Sequence, residues 1–287
     1  MKYIVSILII MTSYLSALDV RIGKGTYDTE MSIKSFLNHD VSNDILVFTL
    51  EEFHQNIQQT PMFYYGDMSL HTSDTKTQNT EFANFAASFN FPLVGSFNDL
   101  TNDFIDFFPV SGEYEAVGFD LNLGLGYDVL KKGESYLGIG LNVGVTLPTI
   151  NAENLSSKVD FAYDLVESWE LDVSTYKIGP AIRGNYMVHP DFAIYGAFSA
   201  GFQTASIDSG LFKSSVDVDG DYSALDLGVK YAPKDEKYFV LFGHNSKKWN
   251  VDSAEVNLYN FFKTDVFRPF TTSFKSSETY LGVGYRF

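Results

Sequence analysis

Few residues of this sequence have side chains that could do chemistry, and they are scattered. Aspartates alternate in the segment SSVDVDGDYS, at Asp217, Asp219 and Asp221, and the segment FGHNS holds His244 and Ser246. Paired carboxyl groups can activate a water molecule when one of them has a raised pKa. A serine and a histidine form a nucleophilic pair when a third polar group orients the histidine. No Asp-x-His pattern occurs, so an acidic surface loop is the simpler interpretation of the aspartates.

The same DVDGD segment resembles part of a calcium-binding loop, because hard cations take carboxylate oxygens. It lacks the later Glu that such a loop places at a fixed spacing. The chain has no cysteine and five histidines, of which His71 and His189 fall at predicted turns. The sequence therefore indicates no cofactor, no metal site and no disulfide, and we expect no enzymatic activity.

A second set of charged residues follows from the alternation of apolar with small or polar residues along extended segments. This period of two is the period of a β-strand. The six clearest segments are 117–128, 137–147, 176–188, 192–204, 225–231 and 279–287. Their apolar rows hold no Asp, Glu, Lys or Arg, whereas charges occur in the opposite rows. The candidates that would face an enclosed interior are Asp120, Asn122, Lys177, Arg183, Asp226 and Lys230. They either line a thin polar passage or neutralise one another across it.

Two architectures would explain one dry face and one wet face. A soluble β-sandwich covers its apolar rows with a second sheet, whereas a membrane barrel turns them to lipid. The segments 117–128 and 137–147 match the roughly 9–11 residues of a tilted membrane-spanning strand. Aromatic residues also collect beside the predicted short turns and the C-terminus, as in a membrane-interface girdle. These residues are Tyr127, Tyr186, Phe192, Tyr231, Tyr238, Tyr285 and Phe287. Both observations favour the barrel.

The breaks between segments alternate between short and long. Short breaks fall at 72–79, 130–135, 189–191 and 233–236, and long breaks at 28–60, 92–113, 148–173, 206–222 and 249–274. This predicts an all-β, antiparallel, up-and-down transmembrane barrel of about ten strands, eight to twelve being compatible, with periplasmic termini and long extracellular loops. The earliest strands, at DVRIGKG, MFYYGDMSLH and FANFAASFNF, are weakly marked. Short helices are predicted at 49–57, 96–108 and 155–168, as a lid, as a plug or as packing against the rim.

The N-terminal segment MKYIVSILIIMTSYLSALD combines Lys2, an apolar stretch and the small residues Ser16 and Ala17. This pattern predicts a signal peptide over residues 1–17 and a barrel domain over 18–287. The apolar stretch is shorter than the roughly 20 residues of a helical span. The net charge of −16 argues against nucleic acid, or an anionic membrane approached through overall charge, as a partner.

The chain ends in TYLGVGYRF, which resembles the C-terminal strand of bacterial outer-membrane β-barrel proteins. In that superfamily a terminal Phe, a Tyr two residues earlier and alternating apolar residues act as a signal read by the barrel-assembly machinery. The matching residues here are Leu281, Val283, Tyr285 and Phe287. The resemblance implies the outer membrane of a Gram-negative bacterium, with membrane lipid and, during biogenesis, the assembly machinery as partners. It implies no ligand and no oligomeric state.

The strand number is similar to that of the omptin proteases, which use paired acidic residues and an Asp–His pair near the extracellular rim. By that resemblance Asp217, Asp219, Asp221 and His244 would be the catalytic candidates. Barrels of about eight strands are filled by side chains, and porins of 16–18 strands hold water. Ten strands therefore predict a narrow or plugged lumen, although inward glycines would widen it. We expect a structural or binding role at the cell surface; a porin-like channel for small or hydrophobic solutes and a rim hydrolase are the alternatives.

Overall fold

β-Strands make up most of the chain in the computed structural model, which describes residues 17–83, 107–157, 169–210, 212–259 and 265–286. The strands are β1 Ala17–Ile33, β2 Leu37–Gln55, β3 Met62–Ser73, β4 Lys76–Ala83, β5 Phe107–Lys132, β6 Ser135–Ser157, β7 Trp169–His189, β8 Phe192–Ser209, β9 Val216–Tyr231, β10 Tyr238–Asn257 and β11 Phe267–Arg286. A short 3₁₀ helix, Ile57–Gln59, lies between β2 and β3. Within the described residues, no helix has the length and apolar character needed to cross a membrane. The predicted signal peptide lies outside these residues except for Ala17, the first residue of β1.

The strands close into a ring, because β1 pairs with β11 as well as with β2. All pairings are antiparallel, and β3 and β4 follow one another between β2 and β5, so that eleven strands fill ten positions. Cross-strand partners followed once around the ring lead from Tyr136 to Pro148 on β6, a stagger of 12 residues. Such a stagger tilts the strands of a closed barrel. The predicted antiparallel up-and-down barrel of ten strands is confirmed.

Several predicted boundaries were wrong. The long break predicted at 28–60 is mostly the hairpin of β1 and β2, whose turn places Ser35 at a φ of 60°. The end of β3 and the start of β4 take up six of the eight residues of the short turn predicted at 72–79. The strand predicted at FANFAASFNF lies largely outside the described residues. The prediction therefore missed one strand, β2, and counted two strands where β3 and β4 together fill one position of the ring. The two errors cancel, which left the count at ten.

The predicted long loops at 148–173, 206–222 and 249–274 are largely strand, because β6 to β11 continue beyond their apolar rows. The helix predicted at 49–57 is the end of β2, although the 3₁₀ helix begins at Ile57. The segments 96–108 and 155–168 lie mainly outside the described residues, and their described ends are strand.

Both faces of the barrel wall change character part-way along the strands. We call the part nearest Ala17 and Arg286 the terminal half and the opposite part the loop half. On β2, the side chains that point outward in the loop half are polar and those in the terminal half are apolar; they are Asn38, Asp40, Ser42 and Asp44, followed by Leu46, Phe48 and Leu50. The inward row runs the other way, from Leu37, Val41, Ile45 and Val47 to Thr49 and Glu51. The loop half is thus built like a water-soluble barrel, and the terminal half is built inside out.

Buried apolar side chains fill the interior of the loop half. They include Tyr27, Ile33, Leu37, Tyr114, Ile150, Leu171, Ile207, Trp249, Phe270 and Phe274, which come from strands around the ring and form one cluster. His39 joins this region, with its Nδ1 atom 2.8 Å from the hydroxyl of Thr80, and burial lowers the pKa of His39 to about 3. The loop half therefore has a hydrophobic core where a pore would need water.

The outer face of the terminal half is an exposed apolar band. Leu123, Leu141, Ile178 and Leu227 on different strands are each about half exposed. Exposed aromatic side chains surround its terminal edge, namely Tyr127, Tyr186, Phe192, Tyr231, Tyr238 and Tyr285. Phe287 lies outside the described residues. A band of this kind, bordered by aromatic residues, is typical of a surface that faces lipid.

Inward glycines do not widen the lumen, contrary to the expectation from the sequence. Six of them lie directly opposite an aromatic residue on the neighbouring strand: Tyr65–Gly124, Phe63–Gly126, His71–Gly118, Tyr195–Gly228, Tyr280–Gly243 and Phe239–Gly284. Each ring covers its glycine so closely that a Cβ atom there would lie 2.0–2.6 Å from the ring or its hydroxyl. The glycines therefore make room for rings that fill the barrel.

Candidate functional site inside the barrel

Asp120 on β5 is the centre of the first of two charged clusters in the terminal half. Its carboxylate accepts hydrogen bonds from Lys177 at 2.5 Å and Lys247 at 2.7 Å. The hydroxyl of Thr146 and the amide of Asn122 donate to it at 2.6 Å and 2.9 Å. Because these residues sit on β5, β6, β7 and β10, the cluster ties together strands from opposite sides of the ring.

Arg21 on β1 is the centre of the second cluster. Its guanidinium group pairs with Asp19 at 2.7 Å and with Asp226 at 2.8 Å, and it also pairs with Glu51. Arg183 on β7 reaches across the lumen to the same Glu51 carboxylate. All five side chains are largely or fully buried. Four strands, β1, β2, β7 and β9, therefore share one network of opposite charges.

Aromatic rings enclose this second cluster. The guanidinium carbon of Arg183 lies 4.6 Å from the ring centre of Tyr65, and that of Arg21 lies 5.0 Å from the ring centre of Tyr280. The Tyr280 hydroxyl donates to Asp226 at 2.5 Å. A guanidinium over an aromatic face is stabilised by the ring quadrupole. The rings and ion pairs together leave a cavity of about 70 Å³ between the two clusters.

A larger space lies at the terminal end of the barrel, below the Arg21 cluster. This vestibule has a volume of about 390 Å³, and its lining includes Glu51, Arg183, Lys230 and Arg286. The ammonium group of Lys230 lies 4.2 Å from the ring centre of Phe239. Arg286 reaches the rim, 3.7 Å from Glu134. The vestibule ends at the Arg21 cluster.

All six lumen candidates from the sequence point into the barrel. Asp120, Asn122 and Lys177 belong to the first cluster, Arg183 and Asp226 to the second, and Lys230 to the vestibule. Asp120 pairs with Lys177, while Arg183 and Asp226 are neutralised by Glu51 and Arg21. Lys230 lies over the Phe239 ring.

Sequence reasoning missed four charged members of the network. Asp19 and Arg21 occupy alternate positions of DVRIGKG, so their inward direction was available from the pattern. Glu51 lies in a segment predicted to be helical. Lys247 follows the segment YFVLFGHN, which is apolar on both faces and gives no clear register.

The candidates for hydrolysis are not brought together. Asp217, Asp219 and Asp221 lie on β9, not in a loop, and are exposed on its outer face. His244 and Ser246 face outward on β10, where His244 pairs with Leu227, eight residues along β9 from Asp219. In the described part of the chain, no group of three or more His, Asp or Glu is placed to hold a metal ion.

The two histidines that were predicted to fall at turns lie in different settings. His71 is buried inside the barrel and stacks on Tyr27, with 5.1 Å between ring centres, so its predicted place in a turn was wrong. His189 is exposed where β7 ends, beside the β7–β8 turn.

Three of the four proposed assembly residues lie on the strand that closes the ring. Leu281, Val283 and Tyr285 point outward from β11, between β1 and β10. Phe287 lies outside the described residues.

A closed ring of ten antiparallel strands, with an apolar outer band and paired charges inside, defines the outer-membrane β-barrel fold. The outer-membrane protease OmpT from Escherichia coli matches this chain with a TM-score of 0.60 at 11% identity, over 96% of this chain and 100% of that chain. The P. putida toluene transporter TodX matches with a TM-score of 0.29 at 11% identity, over 94% and 90%. Ail, the attachment invasion locus protein of Yersinia pestis, matches with a TM-score of 0.26 at 10% identity, over 96% and 100%.

No family model and no curated protein matches the sequence. At 11% identity the likeness to OmpT concerns the fold alone.

Proposed function

We propose that this protein is a closed barrel of a bacterial outer membrane, with a structural or binding role at the cell surface. The terminal half spans the lipid, with the chain ends and short turns in the periplasm. The loop half projects outward from the membrane. The change of face polarity along the strands supports this arrangement, because apolar side chains favour lipid outside and polar ones favour water.

The observation that carries the proposal is the presence of two seals in series. The ion-pair clusters around Asp120 and Arg21 close the terminal half, and the apolar core around Tyr114 and Trp249 closes the loop half. Buried, paired charges resist separation because each would be left unpaired in a low dielectric. A packed apolar core excludes water in the same way as a soluble domain does.

The outer wall of the loop half provides the proposed binding surface. Its exposed acidic side chains include Glu30, Asp40, Asp44, Glu153, Glu170, Asp172, Asp208, Asp217, Asp219, Asp221, Asp252 and Glu255. Such a wall favours cationic partners and repels anionic ones at long range. The proposal assigns it no enzymatic activity, since the acidic candidates and His244 lie apart on this face.

The proposed partners are outer-membrane lipid at the apolar band and, during biogenesis, the barrel-assembly machinery at the last strand. A solute channel is the alternative, favoured by the vestibule of about 390 Å³ at the terminal end. Passage would require both seals to move.

The experiment is a conductance measurement on purified barrels in planar bilayers. We expect no steady current from the native protein. We also expect none from the variant Arg21→Ala/Glu51→Ala/Arg183→Ala, because the loop-half core remains. An open porin inserted into the same bilayer controls for the recording. Steady current from the native protein would reject the closed barrel and favour the channel.

A further inference from the structure

The apolar outer band has a polar notch on one side of the barrel. On β8 the outward positions are apolar or small from Phe192 to Phe202. On β10, which starts at the same end, apolar outward positions stop at Phe242. The apolar outward row thus spans ten residues on β8 and four on β10, and the difference of six residues is about 20 Å along a strand. On β11 and β1 the apolar row likewise ends at Leu281 and Ile22.

Basic and hydroxyl side chains occupy the notch. Lys24, Lys248 and Lys275 are exposed there. His244 lies between two hydroxyl groups, with its Nδ1 atom 3.4 Å from Thr279 and its Nε2 atom 3.4 Å from Ser277. The notch thus offers cations and hydrogen-bond donors beyond the end of the apolar row, with Lys24 two residues past Ile22 and with Lys248 and Lys275 six residues past Phe242 and Leu281.

Among the residues that the structure describes, the three lysines have no partner of opposite charge. None of them forms an ion pair within the described chain, although the protein carries a net charge of −16. Lys248 and Lys275 lie directly opposite each other on β10 and β11, and Asp28 on β1 is the other neighbour of Lys275. The Asp28 carboxylate instead accepts a hydrogen bond from Ser42 at 2.6 Å. Like charges directly opposite each other destabilise a sheet unless an anion lies between them.

We infer that the notch binds the phosphate groups of a lipid headgroup from the surrounding membrane. The apolar residues Ile22, Phe242 and Leu281 lie directly below it, where acyl chains of the same lipid would pack. Ammonium and hydroxyl groups are donors for phosphate oxygens. The acidic chain as a whole repels anions, but this patch attracts them locally. The inference rests on the proposed membrane position of the terminal half.

The test is native mass spectrometry of the purified barrel in neutral detergent. The probes are bisphosphorylated lipid A, a phosphate-free glycolipid of matched acyl length, and inorganic phosphate. We expect lipid A to bind selectively. We expect the variant Lys24→Gln/Lys248→Gln/Lys275→Gln to bind it about 100-fold more weakly, at about one factor of five per lysine.

A matched variant, Lys34→Gln/Lys132→Gln/Lys234→Gln, removes three exposed lysines outside the notch and should bind lipid A like the native protein. The mobility shift of folded against boiled samples on gels verifies that each variant is folded. Unchanged binding by the notch variant, or equal binding of the phosphate-free lipid, would overturn the site. Displacement of lipid A by millimolar phosphate would overturn the lipid and show that the notch binds a soluble anion. A dimer formed by the native protein and lost only in the notch variant would show that the notch binds a second copy of the chain. Labelling of whole cells tests the proposed membrane position separately. A failure of the lipid site can therefore be distinguished from a failure of the proposed membrane position.

Discussion

Replacing Asp120 with alanine is expected to destabilise the folded barrel by about 3–5 kcal/mol, the range for breaking one side of a buried ion pair. Asp120 is the shared partner of Lys177 and Lys247, and its side chain is 1% exposed. Without it, two buried ammonium groups lie close together with no carboxylate between them. The measurement is the free energy of unfolding in urea, followed by the gel mobility of the folded barrel.

Two further variants separate the charge effect from a packing effect. Replacing the whole cluster by apolar residues, Asp120→Leu/Lys177→Met/Lys247→Met, should restore most of the lost stability, because the carboxylate and both ammonium groups are removed together. Asp217→Asn, on the exposed outer face, should change the free energy of unfolding by less than about 0.5 kcal/mol. If Asp120→Ala were as mild as Asp217→Asn, the interior network would not hold the terminal half together.

Replacing Phe270 with alanine is the second large effect, with an expected loss of about 3–5 kcal/mol. Phe270 is fully buried in the loop-half core, where its ring meets that of Phe212 edge to face at 5.5 Å between centres. Its removal leaves a cavity among side chains from several strands. The next residue, Thr271, is exposed on the outer face, so Thr271→Ala provides the control.

The comparison between Phe270→Ala and Thr271→Ala uses urea unfolding in the same detergent. We expect Thr271→Ala to lie within about 0.5 kcal/mol of the native protein. Equal effects of the two variants would show that the loop half has no packed core. Only the ion-pair clusters of the terminal half would then close the barrel.

The terminal half was predicted well from the sequence because a lipid-facing wall produces a simple alternation of apolar and polar residues. A lipid-facing row tolerates almost no charge, so Leu121, Leu141 and Leu227 stand out against their polar neighbours. In the loop half the faces are reversed, and polar residues occur on both sides of the wall. On β2, His39 and Asn43 point inward among Val41 and Ile45, so the period of two is hidden there.

The alternation of residues does not show which charged side chains of the interior network pair with one another. Alternation showed that Asp120 and Lys177 point inward, but their pairing depends on the ring's stagger, which links residues 57 positions apart. Glu51 was hidden in the segment TLEEF, whose Thr49 and Glu52 imitate a helix-capping box. Tertiary pairing of β2 with β1 and β3 overrides that local signal.

The central claim is that lipid covers the terminal half while the loop half stands outside the cell. The native chain has no cysteine, so single cysteines at Asp217, Lys132 and Leu141 report on the loop half, a turn at the terminal end and the apolar band. With a membrane-impermeant maleimide we predict labelling of Asp217→Cys on intact cells and of Lys132→Cys only after the outer membrane is permeabilised. Leu141→Cys should react only after unfolding. Reaction of Leu141→Cys in intact membranes, or labelling of Lys132→Cys but not Asp217→Cys on intact cells, would contradict the account.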